Sequence, residues 1–338
     1  MRKLEIIGTA TLPWLPPTHD QRPRLAMLAQ RAERNGFTGL LIFYDHIVLD
    51  PWAVGGVLMQ YTSDLVPLVA MQPYTMPPFK AAKTISSLTS LYRRRVDLNV
   101  ITGAAPEELD QVGEVLDHDQ RYTRATEYVT LLKLLFSSEE PVSWSGDHYQ
   151  YRNLRINTCL PAHLRPRIFV AGSSAANRRF AEAVGDVTIT HPEPVDTFAE
   201  TFAAVRRDSG LDMGIRVGLV ARPTAEEAWT VALADHNVDR AARLRTLLKR
   251  ESPSDWSRRM ALLAAEADVH DEVYWTGLFS TGRTGAPLLV GSYDQVAAYV
   301  DRYLALGVTK LLLTKVDTDD EFHHARTVLA RLGVPVGS

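Results

Sequence analysis

Short apolar runs alternate with amphipathic stretches along most of this chain. LEIIGTA (4–10) predicts a first strand, and Leu25, Leu28, Ala29 and Ala32 share the apolar face of a helix that Gly36 stops. TGLLIFY (38–44), DLVPLVAM (64–71) and RVDLNVI (95–101) predict the second, third and fourth strands, with a helix over 78–91. A helix over 122–135 carries Tyr128, Leu131, Leu132 and Leu135, and RIFVAG (167–172) predicts a fifth strand with a helix opening at Ser173 or Ser174. VTIT (187–190) is a sixth, its helix marked by Phe198, Phe202 and Val205. IRVGLVA (215–221) and KLLLT (310–314) are the seventh and eighth, and Phe322, Ala325, Leu329 and Leu332 define the closing helix.

Near-continuous apolar strands separated by helices mean a parallel sheet covered on both faces. For eight such units the α/β solution is a (β/α)8 TIM barrel, here expected as a single domain over 1–338. The surplus length lies between Ala225 and Leu288 and reads as a helical insertion before the last strand. Its Gly-rich end, STGRTGA (280–286), reads as a mobile lid loop.

Composition narrows the function classes. The 338 residues are 46% hydrophobic and 23% charged, the balance of a folded enzyme. A net charge of −3 gives no field to recruit nucleic acid or a membrane surface. The N-terminal apolar run is too short for a signal peptide, and no stretch approaches the ~20 apolar residues of a membrane span. The single cysteine, Cys159, suits a reducing, cytoplasmic compartment and reads as a passive, buried or half-buried thiol. The ten histidines are scattered, with no HExxH and no zinc-type spacing, so no metal is expected.

In a parallel barrel the chemistry lies at the carboxyl ends of the strands. This chain places Tyr44-Asp45-His46 after the second strand, Gln72 after the third and Asn99 to Gly103 at the fourth. Gly172-Ser173-Ser174 follows the fifth, His191 and Glu193 the sixth, and Arg216 lies on the seventh. A strand running through Gly-Ser-Ser into a helix offers free N–H groups and two hydroxyls, a seat for phosphate, yet Ser is equally an ordinary N-cap. HDQRYTRATEY (118–128) is either a solvated helix start or part of an anion pocket, and Asn99 and Thr102 either bond their own loop or join it. Their convergence on one anion, above apolar walls that suit a flat ring, points to a phosphorylated cofactor.

These residues carry a resemblance. LPWLPPTHD, RAERNGFTGLLI, LTSLYRRRVDLNVITG, LDHDQRYTRATEY, AGSS, THPEPVDTF and IRVGLVARPTAEEAW, together spanning most of the chain, resemble the bacterial luciferase-like flavin monooxygenases, within them the alkanesulfonate monooxygenase branch. The resemblance implies a barrel that takes reduced FMN (FMNH2) from a separate NAD(P)H:flavin reductase. With O2 the flavin would form a C4a-peroxide that oxygenates a small organic substrate. By the family pattern, Asn99, Tyr122, Ser173 and Ser174 hold the phosphate and ribityl chain, and Thr102, His118 and Arg121 sit beside them. The family also implies a homodimer or homotetramer.

The match weakens on the substrate side. Val48 stands where the branch has cysteine, Gly218 where it has histidine, His191 where it has tryptophan and Val316 where it has tyrosine. The lid arginine aligns with Gly282, with Arg283 adjacent. Arg216 and Arg283 are few cations for a sulfonate, and His46 and His191 are the available acid–base groups. The expected catalytic set is therefore His46, Arg216, His191 and Arg283, acting on something other than a simple alkanesulfonate. Rival readings are a sulfonate or sulfone monooxygenase with rearranged groups, an F420-dependent oxidoreductase, and a flavin-binding protein without turnover.

Overall fold

The computed structural model describes residues 4–10, 15–16, 18–103, 106–206, 209–234, 255–280 and 286–333. The eight expected strands all form: β1 (Glu5–Thr9), β2 (Gly39–Ile42), β3 (Val66–Met71), β4 (Asp97–Val100), β5 (Ile168–Ala171), β6 (Val187–Thr190), β7 (Asp212–Arg222) and β8 (Val308–Thr314). They alternate with helices, and the fold is a (β/α)8 TIM barrel. The chain divides into two compact units, one of residues 1–9, 31–38 and 189–338, the other of 10–30 and 39–188.

In the unit built on 39–188, β2, β3, β4 and β5 pair in parallel, with Ile42 opposite Val69, Met71 opposite Val100 and Val100 opposite Val170. Their side chains are almost all buried, as strands covered on both faces must be. At the amino end, the buried Asp97 carboxylate accepts from Arg95 Nε at 3.0 Å and from Arg167 N, Nε and Nη2 at 2.9, 3.0 and 2.8 Å. This network ties β4 to β5.

The helix His118–Ser137 begins a turn earlier than its apolar spacing predicts. Asp117 accepts from Gln120 N at 2.8 Å, and the Gln120 side chain accepts from Asp117 N at 3.0 Å, a capping box that sets the start. A hairpin that the sequence reading missed, Val142–Ser145 with Gln150–Leu154, follows this helix. It hangs on Glu127, which accepts from Trp144 Nε1 at 2.9 Å, His148 N at 2.9 Å and Tyr149 N at 3.0 Å. Burial pushes the Glu127 carboxyl up, but these donors outweigh it and hold the group below its ordinary range.

In the other unit, β1, β8 and β7 pair in parallel, with Ile6 opposite Leu311 and Leu312 opposite Arg216. β7 runs eleven residues, longer than its apolar core, and its far end pairs in parallel with a further strand, Leu288–Ser292. The expected insertion, 225–288, reaches only Leu288 of it, and this strand is not among the eight expected. Antiparallel to it lies Tyr274–Trp275, and beyond that Val269–His270. Among the described residues of 225–288 there are two short strands as well as the helices Ala225–Ala234, Asp255–Glu266 and Gly277–Ser280. Cys159 is exposed rather than buried, because it sits in a loop between the buried Thr158 and Leu160.

Replacing Asp97 with Ala should cost about 3 kcal/mol, since it strands two guanidinium groups and a backbone N–H that the carboxylate satisfied. Equilibrium urea unfolding checks this, and a midpoint equal to that of the unaltered protein would contradict it.

Candidate functional site

Two clusters of polar side chains gather at strand ends, one in each unit. The first surrounds the turn from β5 into the helix Ala175–Val184. Gly172 has φ +132°, and a side chain there would press on the Asn177 carboxamide. Ser174 is the N-cap, its hydroxyl oxygen accepting from Asn177 N at 3.2 Å. The cap does not exclude the phosphate seat, because the Ser174 O–H remains a donor. Asn177, which the sequence reading passed over, is buried, and its Nδ2 donates to Ala171 O at 2.8 Å and Tyr122 Oη at 3.4 Å. It thereby fixes the strand end, the turn and the Tyr122 phenol in one corner.

The Tyr122 ring lies 5.9 Å from that of Phe180 and 5.0 Å from that of His118. His118 Nδ1 faces the Asp119 carboxylate at 2.8 Å, and both side chains are exposed. Arg121 Nη1 donates to Leu116 O at 2.8 Å, leaving Nε buried without an acceptor among the described residues. On β4 the Asn99 carboxamide oxygen is likewise buried without a donor, and Thr102 is buried just beyond it. Buried polar atoms without partners are costly in a folded protein, and at a strand's carboxyl end they mark where a ligand completes the structure.

Also in this unit, His46 Nδ1 meets Gln111 Oε1 at 3.1 Å, while Nε2 is buried and unpartnered. An accepting amide oxygen favours the tautomer protonated at Nδ1, so Nε2 carries the lone pair of a base. Asp45 does not orient His46; its Oδ1 accepts from Ile47 N at 3.0 Å and closes the turn.

The second cluster follows β6. The His191 ring stacks on Trp256, centroids 4.0 Å apart, and Trp256 comes from the helix Asp255–Glu266 of the inserted stretch. Glu193 is buried and accepts from Arg259 Nη1 at 2.5 Å and Thr201 Oγ1 at 3.0 Å, one bond to each oxygen. Tyr274 Oη donates to Pro192 O at 2.7 Å and Tyr303 Oη to Glu193 O at 2.5 Å, and burial pushes both phenols well above their ordinary range. The backbone after His191 is therefore pinned at two consecutive carbonyls. Arg216, on β7, has no carboxylate partner among the described residues, and its Nε is buried without an acceptor.

Trp256 and Arg259 lie more than sixty residues beyond His191, and no local spacing announces that they meet it. Gly218 has a structural reason: a Cβ there would overlap the Leu288 side chain and come within 3.0 Å of Thr314 Oγ1. The room a histidine would need is taken by Leu288. Arg283, Gly282 and most of the expected lid loop lie outside the described residues.

Burial, aided by the charges of Arg216 and Arg259, holds His191 well below the ordinary imidazole value. The unfolded chain protonates this ring near pH ~6.5 and the folded protein does not, so its contribution is whole above that pH and declines as pH falls. The melting temperature of His191→Phe should accordingly drop less between about pH 7 and pH 5 than that of the unaltered protein. Scanning calorimetry at both pH values measures this, and equal drops would refute the buried neutral imidazole.

Residues 8–310 match the family described as luciferase-like monooxygenase. The chain is 42% identical over 310 residues, 91% of each chain, to the 4-(gamma-L-glutamylamino)butanoyl-[BtrI acyl-carrier protein] monooxygenase BtrO of Niallia circulans. Among solved structures it is similar to the riboflavin lyase RcaE, with TM-score 0.79 and 19% identity over 99% of this chain and 93% of that one. It is also similar to the EDTA monooxygenase EmoA of Chelativorans sp. BNC1, with TM-score 0.74 and 18% identity over 99% of both chains. At these identities the structural likenesses speak for the fold, whereas the family match and the 42% relative span nearly the whole chain. The alkanesulfonate branch gains no support from that relative, in keeping with the altered substrate-side positions. The chain belongs to the luciferase-like monooxygenase family and is a flavin-dependent monooxygenase.

Proposed function

We propose that this protein is the oxygenase half of a two-component system working in the cytoplasm. A separate NAD(P)H:flavin reductase supplies it with reduced FMN, and it works as a homodimer or homotetramer. One atom of O2 enters a small organic substrate, the other leaves as water, and the flavin departs oxidised. The observation that carries this reading is the corner at Gly172, Ser173, Ser174 and Asn177, with Tyr122 beside it.

The residues fit the cofactor. Ser173 and Ser174 would give their hydroxyls to the phosphate, with N–H groups from the first turn of Ala175–Val184, a ten-residue helix whose positive end favours an anion. Tyr122 completes that seat. Asn99, with a carboxamide oxygen unmatched among the described residues, and Thr102 would hold the hydroxyls of the ribityl chain. Arg121 adds positive charge nearby, and His118 flanks Tyr122 at the rim. When bound, reduced FMN supplies the two electrons that activate O2. His46, with Nδ1 held by Gln111, takes or returns a proton at Nε2. Arg216 and His191 bind the substrate, and Arg283 is assigned to the same task.

The altered positions Val48, Gly218, His191 and Val316 argue against a simple alkanesulfonate. The acyl group carried by the similar protein's acyl-carrier partner is the substrate to try first.

The double variant Ser174→Ala, Tyr122→Phe should bind reduced FMN at least about tenfold more weakly in an anaerobic titration, since two donors to the phosphate are gone. Unchanged affinity would overturn the cofactor assignment. His46→Gln should retain that affinity and lose on the order of 10²-fold in kcat, the usual worth of a positioned acid–base group. A kcat equal to that of the unaltered enzyme would remove His46 from the mechanism.

A further inference from the structure

The cluster after β6 contains more unmatched donors than a folded interior tolerates. Arg216 Nε and Trp256 Nε1 are both buried N–H donors with no acceptor among the described residues, and His191 Nε2 is buried and unpartnered with them. Among the described residues neither N–H reaches a carboxylate, and the two Glu193 oxygens accept from Arg259 and Thr201 instead. His191 stays neutral here, so the net charge presented is the one cation on Arg216. A buried guanidinium without a counter-ion is costly, and the geometry around it does not relax: Tyr274 and Tyr303 pin the backbone that carries His191, and Trp256 stacks on its ring. The cost is offset only when an anion arrives.

We propose that Arg216, Trp256 and His191 form a subsite for a carboxylate on the substrate. The planar guanidinium fork of Arg216 matches the two coplanar oxygens and single negative charge of a carboxylate, and Trp256 Nε1 is a further donor beside it. Arg216 is then a specificity determinant that orients the substrate, and Trp256 is the second donor, supplied by the inserted helix. The subsite rests on the monooxygenase reading for its purpose but not for its existence, since the donors are unmatched whatever the reaction.

The test is calorimetric titration of the whole, flavin-free protein with hexanoate, hexanamide and hexane-1-sulfonate, three ligands that share a tail and differ at the head. Hexanoate should bind, hexanamide at least tenfold more weakly and the sulfonate more weakly than hexanoate. Arg216→Met should reduce hexanoate affinity at least tenfold while leaving hexanamide unchanged, and Trp256→Phe should reduce it several-fold with the ring stack kept. Arg216→Met should also melt no lower than the unaltered protein, because it removes an unpaired buried charge, so lost binding is not mistaken for lost folding. Equal binding of hexanoate and hexanamide, or hexanoate affinity unmoved by Arg216→Met, overturns the subsite. Tighter sulfonate than carboxylate binding overturns the assigned class. Hexanoate binding that depends on Arg216 in a protein that takes no reduced FMN upholds the subsite and refutes only the monooxygenase reading.

Discussion

The Asn177 carboxamide is the contact on which the cofactor corner depends. One amide group bonds the last carbonyl of β5 and the Tyr122 phenol, while its own backbone N–H is capped by Ser174. Gly172 is required there because any side chain would collide with this carboxamide, and the left-handed backbone it permits turns the chain sharply into the helix. The Ser174 hydroxyl, having accepted from Asn177, keeps its own proton to donate to the phosphate that we propose. Structure and binding are therefore not competing readings of Ser174; the cap holds the seat in position.

The second cluster follows the opposite logic. At the β5 corner Asn177 and Ser174 bond within the chain, and of the unpartnered atoms nearby, Asn99 Oδ1 and Arg121 Nε, only the second belongs to a cation. After β6 the groups are deliberately mismatched in number: Glu193 is consumed by Arg259 and Thr201, and Arg216 is left over. In the subsite we propose, the Arg259–Glu193 pair is the structural charge and Arg216 the recognising one. Keeping His191 neutral preserves that difference, because a second charge would repel Arg216 and blur the demand for a single anion.

The eight strands were legible because strands buried on both faces must be apolar along their length, and nothing else in a chain this size repeats so regularly. What the pattern could not register were elements held by single polar contacts. The hairpin Val142–Ser145/Gln150–Leu154 is short and half polar, and it exists because Glu127 gathers three N–H donors. The first turn of His118–Ser137 faces solvent, so its start lies in the Asp117–Gln120 capping box rather than in any apolar spacing. Leu288–Ser292 is nearly all buried, yet it pairs with the far end of β7 outside the eight strands that the alternating pattern predicts. The site was legible in the same uneven way. Strand-end residues such as Asn99, Ser174, His191 and Arg216 could be named from position, whereas Trp256, Arg259 and Asn177 matter through contacts that only folding creates.

The central claim is that the β5 corner recognises the phosphate of a reduced flavin. Anaerobic titration of the unaltered protein with reduced FMN, reduced riboflavin and reduced F420 tests it most directly, because FMN and riboflavin differ only by that phosphate. The account predicts that reduced FMN binds at least about a hundredfold more tightly than reduced riboflavin, in line with several charge-assisted hydrogen bonds to one anion. Equal affinity for the two, or a preference for F420, would contradict it.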